Sequence, residues 1–289
     1  MVFGFEVEPI HIVSKRPPPA LLRSPMDQPI YFRSIAIAIA LLLSLAGVLP
    51  AAGADTAVRI LVYHRFDPAK AAAMTVTTPV FAAQLAWLAS QNITVLPLHA
   101  LVDRLRAGAS LPASSVVLTA DDGHRSVYTQ MFPLIRRYRV PMTLFIYPSA
   151  ISNAAYALTW EEIEKMIRSG FVHVQSHTYW HPNFNMEQAR LSPSVYRDFV
   201  KRQLSLSKSR LEQRLRIQVD LLAWPFGIHD AELDHLAVEA GYVAGFTIDR
   251  ALVRRGADIM ALPRYIVTDE DRGTRFATLV RGDGRKSAR

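Results

Sequence analysis

The sequence contains no cysteine in its 289 residues. This absence excludes a disulfide scaffold, a cysteine zinc finger, an iron–sulfur protein and a thiol nucleophile. Dense charge is also missing, because charged residues make up 20 % of the chain and hydrophobic residues make up 50 %. That composition excludes a disordered polyelectrolyte and provides ample apolar material for a core. The net charge of +8 would suit a nucleic-acid binder only if the basic residues shared one surface.

An uncharged apolar run over residues 35–49 has only 15 residues. A membrane-spanning helix needs roughly 20, so the run fits a secretory signal better. Arg33 precedes it, and small residues follow it up to Ala54, which is typical of a signal cleavage site. A start at Met26 would give this signal a leading segment of ordinary length. We therefore expect cleavage near Ala54 and export to the periplasm or the exterior, with an uncleaved anchor as the alternative.

The rest of the chain is predicted to form one domain over residues 55–281. Residues 1–54 are then an extension plus the signal, and residues 282–289 are a basic tail. Within the domain, short β-rich segments alternate with helical patterns. The predicted strands are residues 59–63, 94–96, 116–119, 143–147, 172–175, 221–223, 244–248 and 262–267. This alternation predicts an α/β fold with a parallel sheet, open or closed as a barrel, in which reactive residues follow the carboxyl ends of strands.

Several helix starts are also readable. Thr78 precedes a proline and is predicted to cap a helix, and Asp230 is predicted to cap another. Thr159 and Glu162 have the spacing of a capping box. Residues 194–216 place apolar side chains on one helical face and basic side chains around the rest, which predicts a long amphipathic helix.

Two adjacent carboxylates follow the predicted strand 116–119. Asp121 and Asp122 precede Gly123, which permits a tight turn. Carboxylates at the end of a buried strand are unfavourable unless they hold a cation or share a proton. A simple Asp-Gly turn or helix cap is the alternative for this motif alone.

Two histidines follow the predicted strand 172–175. His177 and His181 are four residues apart, and imidazole is the commonest zinc ligand. Together with Asp122 they would provide two nitrogens and one carboxylate, which is the ligand count of a catalytic zinc site. Such a set also accepts Co²⁺, Ni²⁺ or Fe²⁺. Asp121 would then be free to act as a base.

An aromatic turn follows the predicted strand 221–223. Trp224, Pro225 and Phe226 precede Gly227 and could form a rigid wall that stacks on a sugar ring. An ordinary turn with core aromatics explains the same residues equally well.

These three motifs, in this order, resemble the polysaccharide deacetylases of the NodB-homology type, carbohydrate esterase family 4. The strand ends at His64 and Arg264 resemble the branch that includes the poly-N-acetylglucosamine deacetylases. The resemblance covers residues 59–267 and implies a distorted (β/α) barrel. It also implies that Asp122, His177 and His181 bind the metal.

The resemblance implies a mechanism as well. The metal polarises the acetamide carbonyl and activates its bound water, from which Asp121 takes a proton. The oxyanion would be held by the metal and by a backbone N–H near Tyr147 and Pro148. Tyr147, Trp224, Pro225 and Phe226 are the expected substrate contacts.

Two positions depart from the family's pattern. Many members carry an arginine before the Pro-aromatic-Gly turn, and here Ala223 and Trp224 stand in that region. We expect Arg264 to orient Asp121 instead. Many members also carry a late histidine as the general acid, but no histidine follows His235 in this chain. We therefore expect His64 to donate the proton, with a buried structural role as its alternative.

The function implied is removal of N-acetyl groups from N-acetylglucosamine-type residues of an extracytoplasmic polysaccharide. An O-acetyl esterase, a small-molecule amidase and a non-catalytic carbohydrate-binding module of the same fold remain alternatives. We expect a polysaccharide or oligosaccharide partner and no nucleic acid. Residues 190–216 hold eight basic and two acidic groups, and residues 250–289 are also basic. These two segments are predicted to face an anionic envelope surface.

Overall fold

A computed structural model describes residues 56–282 of the chain. The predicted start at Met26, the signal at residues 35–49, the cleavage site at Ala54 and most of the basic tail lie outside these residues. Among the described residues, no helix combines the length and apolar character that crossing a membrane requires.

A curled parallel sheet forms the centre of the fold. Its main strands occur in the order β10-β1-β5-β6-β7-β8-β9, with β4 pairing beside β5. A separate parallel pair is formed by β2 and β3. The strands are β1 (Arg59–Tyr63), β2 (Arg65–Asp67), β3 (Thr75–Thr77), β4 (Thr94–Val95), β5 (Ser115–Asp121), β6 (Met142–Ile146), β7 (Val172–Ser176), β8 (Leu221–Ala223), β9 (Ala244–Phe246) and β10 (Tyr265–Ile266).

The two edge strands of the sheet, β9 and β10, are connected through the segment that precedes β10. Phe246 of β9 forms a parallel bridge with Leu262, and Tyr265 of β10 pairs with Leu61 of β1. The sheet therefore curls into a distorted barrel. This confirms the predicted α/β barrel fold.

Helices surround the sheet. They are α1 (Thr78–Ser90), α2 (Leu98–Arg106), α3 (Phe132–Tyr138), α4 (Trp160–Arg168), α5 (Phe184–Arg190), α6 (Pro193–Leu215), α7 (Ala231–Glu239) and α8 (Thr274–Arg281). A π-helical turn, Val127–Met131, leads into α3.

The predicted helix signals are confirmed with one correction. The capping box of Thr159 and Glu162 is present at α4, and Asp230 accepts from the Leu233 N–H at α7. Thr78, however, is the first residue of α1 rather than its cap, which is Thr77. The error is one residue, because proline is accommodated equally well at either of the first two helical positions.

The basic face of α6 is largely paired with acidic residues. Four of its cations bond to glutamates of α4, α6 or α7: Arg197 to Glu232, Lys201 to Glu239, Lys208 to Glu212 and Arg214 to Glu164. These pairs reduce the positive charge that the helix offers to an anionic surface. Docking on such a surface stays a prediction.

Side chains alternate between the two faces of the sheet and so form two separate packed layers. One face of the sheet points into the barrel and includes Ile60, Val117 and Phe145. The opposite face includes Leu61 and Leu118 and packs against the helices other than α2, whose Leu98 and Leu101 belong to the inner cluster. Because side chains alternate along a strand, residue parity decides which strand-end groups reach the interior.

Gly245 of β9 lies where no side chain fits. A Cβ atom there would stand 2.2 Å from the Met260 carbonyl oxygen and 2.6 Å from Nε1 of Trp224, which themselves share a hydrogen bond. We expect Gly245→Ala to lower the free energy of unfolding by about 3 kcal/mol, as overpacking of a rigid site does. Urea denaturation followed by circular dichroism measures the loss.

Gly256→Ala is the matched control for that substitution. Its added Cβ would meet nothing within 4 Å, although its φ is +78°. The backbone strain alone should cost about 1 kcal/mol. Equal losses in the two variants would contradict the packing explanation for Gly245.

Candidate active site

Three predicted metal ligands meet at the carboxyl end of the sheet. Oδ1 of Asp122 lies 3.7 Å from Nε2 of His177 and 3.7 Å from Nε2 of His181. One ligand atom from each residue lies within 4.8 Å of the other two. β5 and β7, which end beside these residues, are separated by one strand in the sheet. The structure therefore brings together Asp122, His177 and His181 as the sequence predicted.

The orientation of His177 is set by the neighbouring strand. Its Nδ1 lies 2.8 Å from the carbonyl oxygen of Ala223, the last residue of β8. A carbonyl only accepts hydrogen bonds, so Nδ1 carries a proton, and in the neutral ring the lone pair of Nε2 faces Asp122. A second hydrogen bond of this kind is what a metal-ligating histidine ordinarily makes.

Two of the predicted ligands and one neighbouring residue have an uncommon backbone conformation. Asp122, Thr178 and His181 all have φ between +62° and +71°, in the left-handed region. Within the loop, the His181 N–H donates to Oγ1 of Thr178 at 3.2 Å. Non-glycine residues persist in this region only where surrounding contacts hold them, which is common at functional sites.

The donor set fits a divalent transition metal. Ligands about 2.1 Å from one ion at tetrahedral angles are about 3.4 Å apart, close to the 3.7 Å separations between Asp122 and the histidines. Burial lowers the pKa of His181 well below its usual range, although Asp122 acts in the opposite direction. His181 is therefore neutral at pH 7, which is the form that binds metals.

Asp121 is held by a buried arginine. Arg264 is 0 % exposed, and its two terminal nitrogens lie 2.8 Å and 2.7 Å from Oδ1 and Oδ2 of Asp121. Its Nε donates to the Thr247 carbonyl oxygen at 2.9 Å. Burial alone would raise the pKa of Asp121, but Arg264 and His177 together lower it to about 2. The structure thus pairs Arg264 with Asp121 as expected, in a fork-shaped contact that fixes the carboxylate plane.

His64 lies at the end of β1 among the same charges. Burial lowers the pKa of His64, while Asp121 and Asp122 act to raise it. Its Nδ1 is buried without a hydrogen-bond partner among the described residues. A buried, unpartnered ring nitrogen beside a reactive carboxylate needs an explanation, and a role in proton transfer supplies one.

Aromatic side chains surround the ligands at the surface. Phe226 is 55 % exposed, and its ring centroid lies 4.7 Å from that of His181. The Tyr147 ring lies 5.5 Å from His181 on another side, and its hydroxyl bonds that of Tyr156 at 2.8 Å. A cavity of about 380 Å³ opens beside Asp122 and is lined by Arg65, Asp122, His124, Tyr147 and Tyr156.

The structure contradicts the prediction that Trp224 and Pro225 form part of a sugar-binding wall, because both residues are buried. Trp224 is 0 % exposed, and its indole N–H donates to the Met260 carbonyl oxygen. Pro225 is also buried. Parity explains the error, because Leu222 and Trp224 lie in the outer packed layer while Leu221 lies inside the barrel. Of this motif, only Phe226 is exposed beside the ligands.

Arg65, His124 and Tyr156 line the cavity but were not predicted as site residues. Arg65 lies on β2, a three-residue strand that the sequence did not reveal. Tyr156 comes from the irregular segment between β6 and α4. The proximity of His124 to the Asp-Asp-Gly motif was a usable signal, whereas Tyr156 has none in its local sequence.

Comparison with known proteins confirms the family resemblance carried by the three motifs. A polysaccharide deacetylase family model matches residues 108–245. The matched range contains Asp121 and all three ligand positions, whereas His64 and Arg264 lie outside it.

Several relatives are poly-β-1,6-N-acetyl-D-glucosamine N-deacetylases. The one from Escherichia coli K12 is 26 % identical over 243 residues, covering 71 % of this chain and 35 % of the relative. One from Staphylococcus aureus MRSA252 is 20 % identical over 200 residues, covering 68 % of this chain and 69 % of the relative. This chain thus spans about a third of the length of the E. coli protein.

Solved structures share the fold. The Streptococcus pyogenes deacetylase PplD, in complex with acetate, matches with a TM-score of 0.69 at 22 % identity, covering 78 % of this chain and 99 % of that one. IcaB from Ammonifex degensii matches with a TM-score of 0.69 at 23 % identity, covering 78 % and 98 %. Both likenesses support the barrel architecture described above.

Removing Arg264 should destabilise the barrel strongly. Arg264→Met would leave the buried Asp121 charge without its partner, which costs about 3–5 kcal/mol at such sites. Arg125→Met is the control, because Arg125 bonds Glu162 with a side chain that is 57 % exposed. Its loss should be about 1 kcal/mol or less. Similar losses in urea denaturation of the two variants would show that the buried pair is not essential to the fold.

Proposed function

We propose that the chain is a metal-dependent hydrolase of the polysaccharide deacetylase family, whose model matches residues 108–245. Its reaction would remove N-acetyl groups from N-acetylglucosamine-type residues of a polysaccharide. One observation supports this above all. The ligand atoms of Asp122, His177 and His181 converge within 4.8 Å beside a second carboxylate, Asp121, that is fixed by Arg264.

Asp122, His177 and His181 would hold the metal, which we propose to be Zn²⁺, with Co²⁺, Ni²⁺ or Fe²⁺ as alternatives. Bound there, a divalent ion supplies Lewis-acid polarisation of a carbonyl and lowers the pKa of water. The hydrogen bond from His177 to Ala223 keeps Nε2 aimed at that position. The chain's own contribution is thus a preset ligand geometry.

Asp121 would act as the base. The low pKa imposed by Arg264 and His177 keeps its carboxylate ionised at neutral pH, so the carboxylate can accept a proton from the attacking water. Oδ2 of Asp121 lies 3.9 Å from Nε2 of His177, which places the base next to the ligand set. Arg264 would act by orienting Asp121 and not by touching the substrate.

Two further groups complete the proposed reaction. His64 would pass on to the leaving amine the proton that Asp121 takes from water, since its Nδ1 is buried near the same carboxylates without a hydrogen-bond partner among the described residues. A backbone N–H would help to stabilise the oxyanion, and in the segment after β6 that donor is Tyr147, because Pro148 has no N–H. With the proton delivered, the C–N bond breaks, the sugar keeps a free amine, and the acetyl group leaves as acetate with the oxygen of the water.

The substrate class follows from the relatives together with the site's surroundings. The named relatives act on poly-β-1,6-N-acetyl-D-glucosamine, and the exposed Phe226 and Tyr156 offer apolar faces of the kind on which sugar rings stack. We propose a polymer or oligomer of N-acetylglucosamine as the substrate. Export from the cytoplasm is proposed from the sequence of residues 35–49 alone.

Acetate release tests the proposal directly. The purified full-length chain, loaded with Zn²⁺ or Co²⁺, should release acetate from poly-β-1,6-N-acetylglucosamine and from chitin oligomers. Asp121→Asn should lower kcat by about 10²- to 10⁴-fold, as loss of a general base does, while metal content stays unchanged. His177→Ala should lose bound metal. Asp103→Asn, an exposed carboxylate on α2, is the control.

The alternatives predict different results in the same assay. Release from O-acetylated sugars alone would indicate an esterase, and release from small acetamides alone would indicate an amidase. Sugar binding without acetate release in any variant would indicate a non-catalytic module. An unchanged rate in His177→Ala would contradict the metal assignment.

Phe226 should affect substrate binding rather than chemistry. Its exposed ring beside His181 can stack on a sugar, and removing such a contact costs about 0.5–1.5 kcal/mol. We expect Phe226→Ala to raise KM about 2- to 13-fold with little change in kcat. Met186→Ala, an exposed apolar residue of α5, should leave both constants unchanged. A fall in kcat alone would contradict the proposed role of Phe226.

A further inference from the structure

Two buried polar side chains interrupt the apolar face of α6. Gln203 is 4 % exposed and Ser207 is 0 % exposed, on the face where Val200, Leu204 and Leu211 are also buried. Polar groups at such positions weaken packing unless they are fully hydrogen-bonded. Both have partners, and the partners lie in the segment that carries His177 and His181.

Ser207 contacts the end of β7. Its Oγ lies 2.7 Å from Oγ of Ser176, the last residue of that strand and the neighbour of His177. The Ser176 Oγ also accepts from the Thr178 N–H at 3.2 Å. With that acceptor position used, the Ser176 hydroxyl remains able to donate to Ser207. The chain on both sides of His177 is thus tied to the helix.

Gln203 contacts the other end of the same loop. Its Oε1 accepts from the Trp180 N–H at 3.1 Å, immediately before His181. Residues four apart lie one turn apart on the same face of a helix, so Gln203 and Ser207 reach the loop side by side. The two contacts span the five-residue loop 177–181 from end to end.

We propose that Gln203 and Ser207 are positioning residues for the two histidine ligands. They act through the backbone of loop 177–181, without touching the substrate. Thr178 and His181 adopt left-handed φ values that need support from outside the loop, and α6 supplies that support. The inference rests on the proposed metal-dependent function, because it assigns these residues to the same ligand set.

Metal affinity in full-length variants tests the positioning role. Co²⁺ titrations followed by the visible d–d bands report both the dissociation constant and the ligand geometry. Gln203→Met keeps the side-chain length but removes the acceptor, and Ser207→Ala removes the hydroxyl. Each should weaken Co²⁺ binding about 10- to 100-fold, as loss of a group behind a metal ligand does, and should change the band pattern.

Leu211→Ala is the matched control. It removes buried volume from the same helix face, one turn beyond Ser207, where no described hydrogen bond to the loop exists. It should lower Tm at least as much as the other two substitutions while leaving Co²⁺ affinity and spectrum unchanged. If Leu211→Ala weakens Co²⁺ binding equally, or if Gln203→Met leaves it unchanged, the positioning role is wrong.

A second measurement does not depend on metal. Amide hydrogen exchange in the metal-free protein should accelerate at Trp180 in Gln203→Met and at Thr178 in Ser207→Ala, and at neither residue in Leu211→Ala. Unchanged exchange at both residues would overturn the inference. If exchange accelerates in these two variants but the wild-type protein binds no Co²⁺, the metal-dependent function is wrong and the support of loop 177–181 by α6 is established.

Discussion

The buried contact between Arg264 and Asp121 is the interaction on which barrel and site both depend. Arg264 lies in the segment that closes the barrel, and its guanidinium reaches across the interior to the end of β5. A charge with no solvent exposure requires a complete partner, since an isolated ion at that position would be strongly unfavourable. The segment that closes the sheet therefore also orients the carboxylate of Asp121. Any change that opens the barrel also misplaces Asp121.

The ligand set depends on backbone geometry as much as on side chains. Asp122 and His181 project towards one point because their backbones adopt left-handed conformations at the strand ends. His177 is aligned from a third direction by the carbonyl of Ala223 on the adjacent strand. The site is thus assembled from the ends of β5, β7 and β8 and supported by α6. Rigid elements of this kind keep ligands in place before any ion arrives, which lowers the cost of binding.

Prediction from the sequence succeeded for strands and residues whose role follows directly from their residue types. The strands at residues 59–63 and 221–223 were predicted with correct bounds because short apolar runs in an alternating α/β chain are buried on both faces. Arg264 was predicted to pair with Asp121, and the structure places them in contact. Two elements were missed: β2 has only three residues, and α2 begins after Pro97, which offers no capping side chain that would mark the start of a helix. The prediction for Trp224 was wrong because β8 has only three residues, and a strand that short does not show by its own alternation which side chains face the barrel interior.

By itself, the sequence determined the order of the main strands and of most helices, and the residue types that meet at the strand ends. It did so because parallel strands bring their carboxyl ends to the same edge wherever they lie in the chain. Only the tertiary structure decided which nitrogen of His177 faces Asp122, which aromatic of the Trp-Pro-Phe turn is exposed, and which helix supports the histidine loop. These outcomes depend on register and on contacts between distant residues, such as Trp180 with Gln203. Local sequence does not specify contacts of that kind, because their partners are chosen by packing.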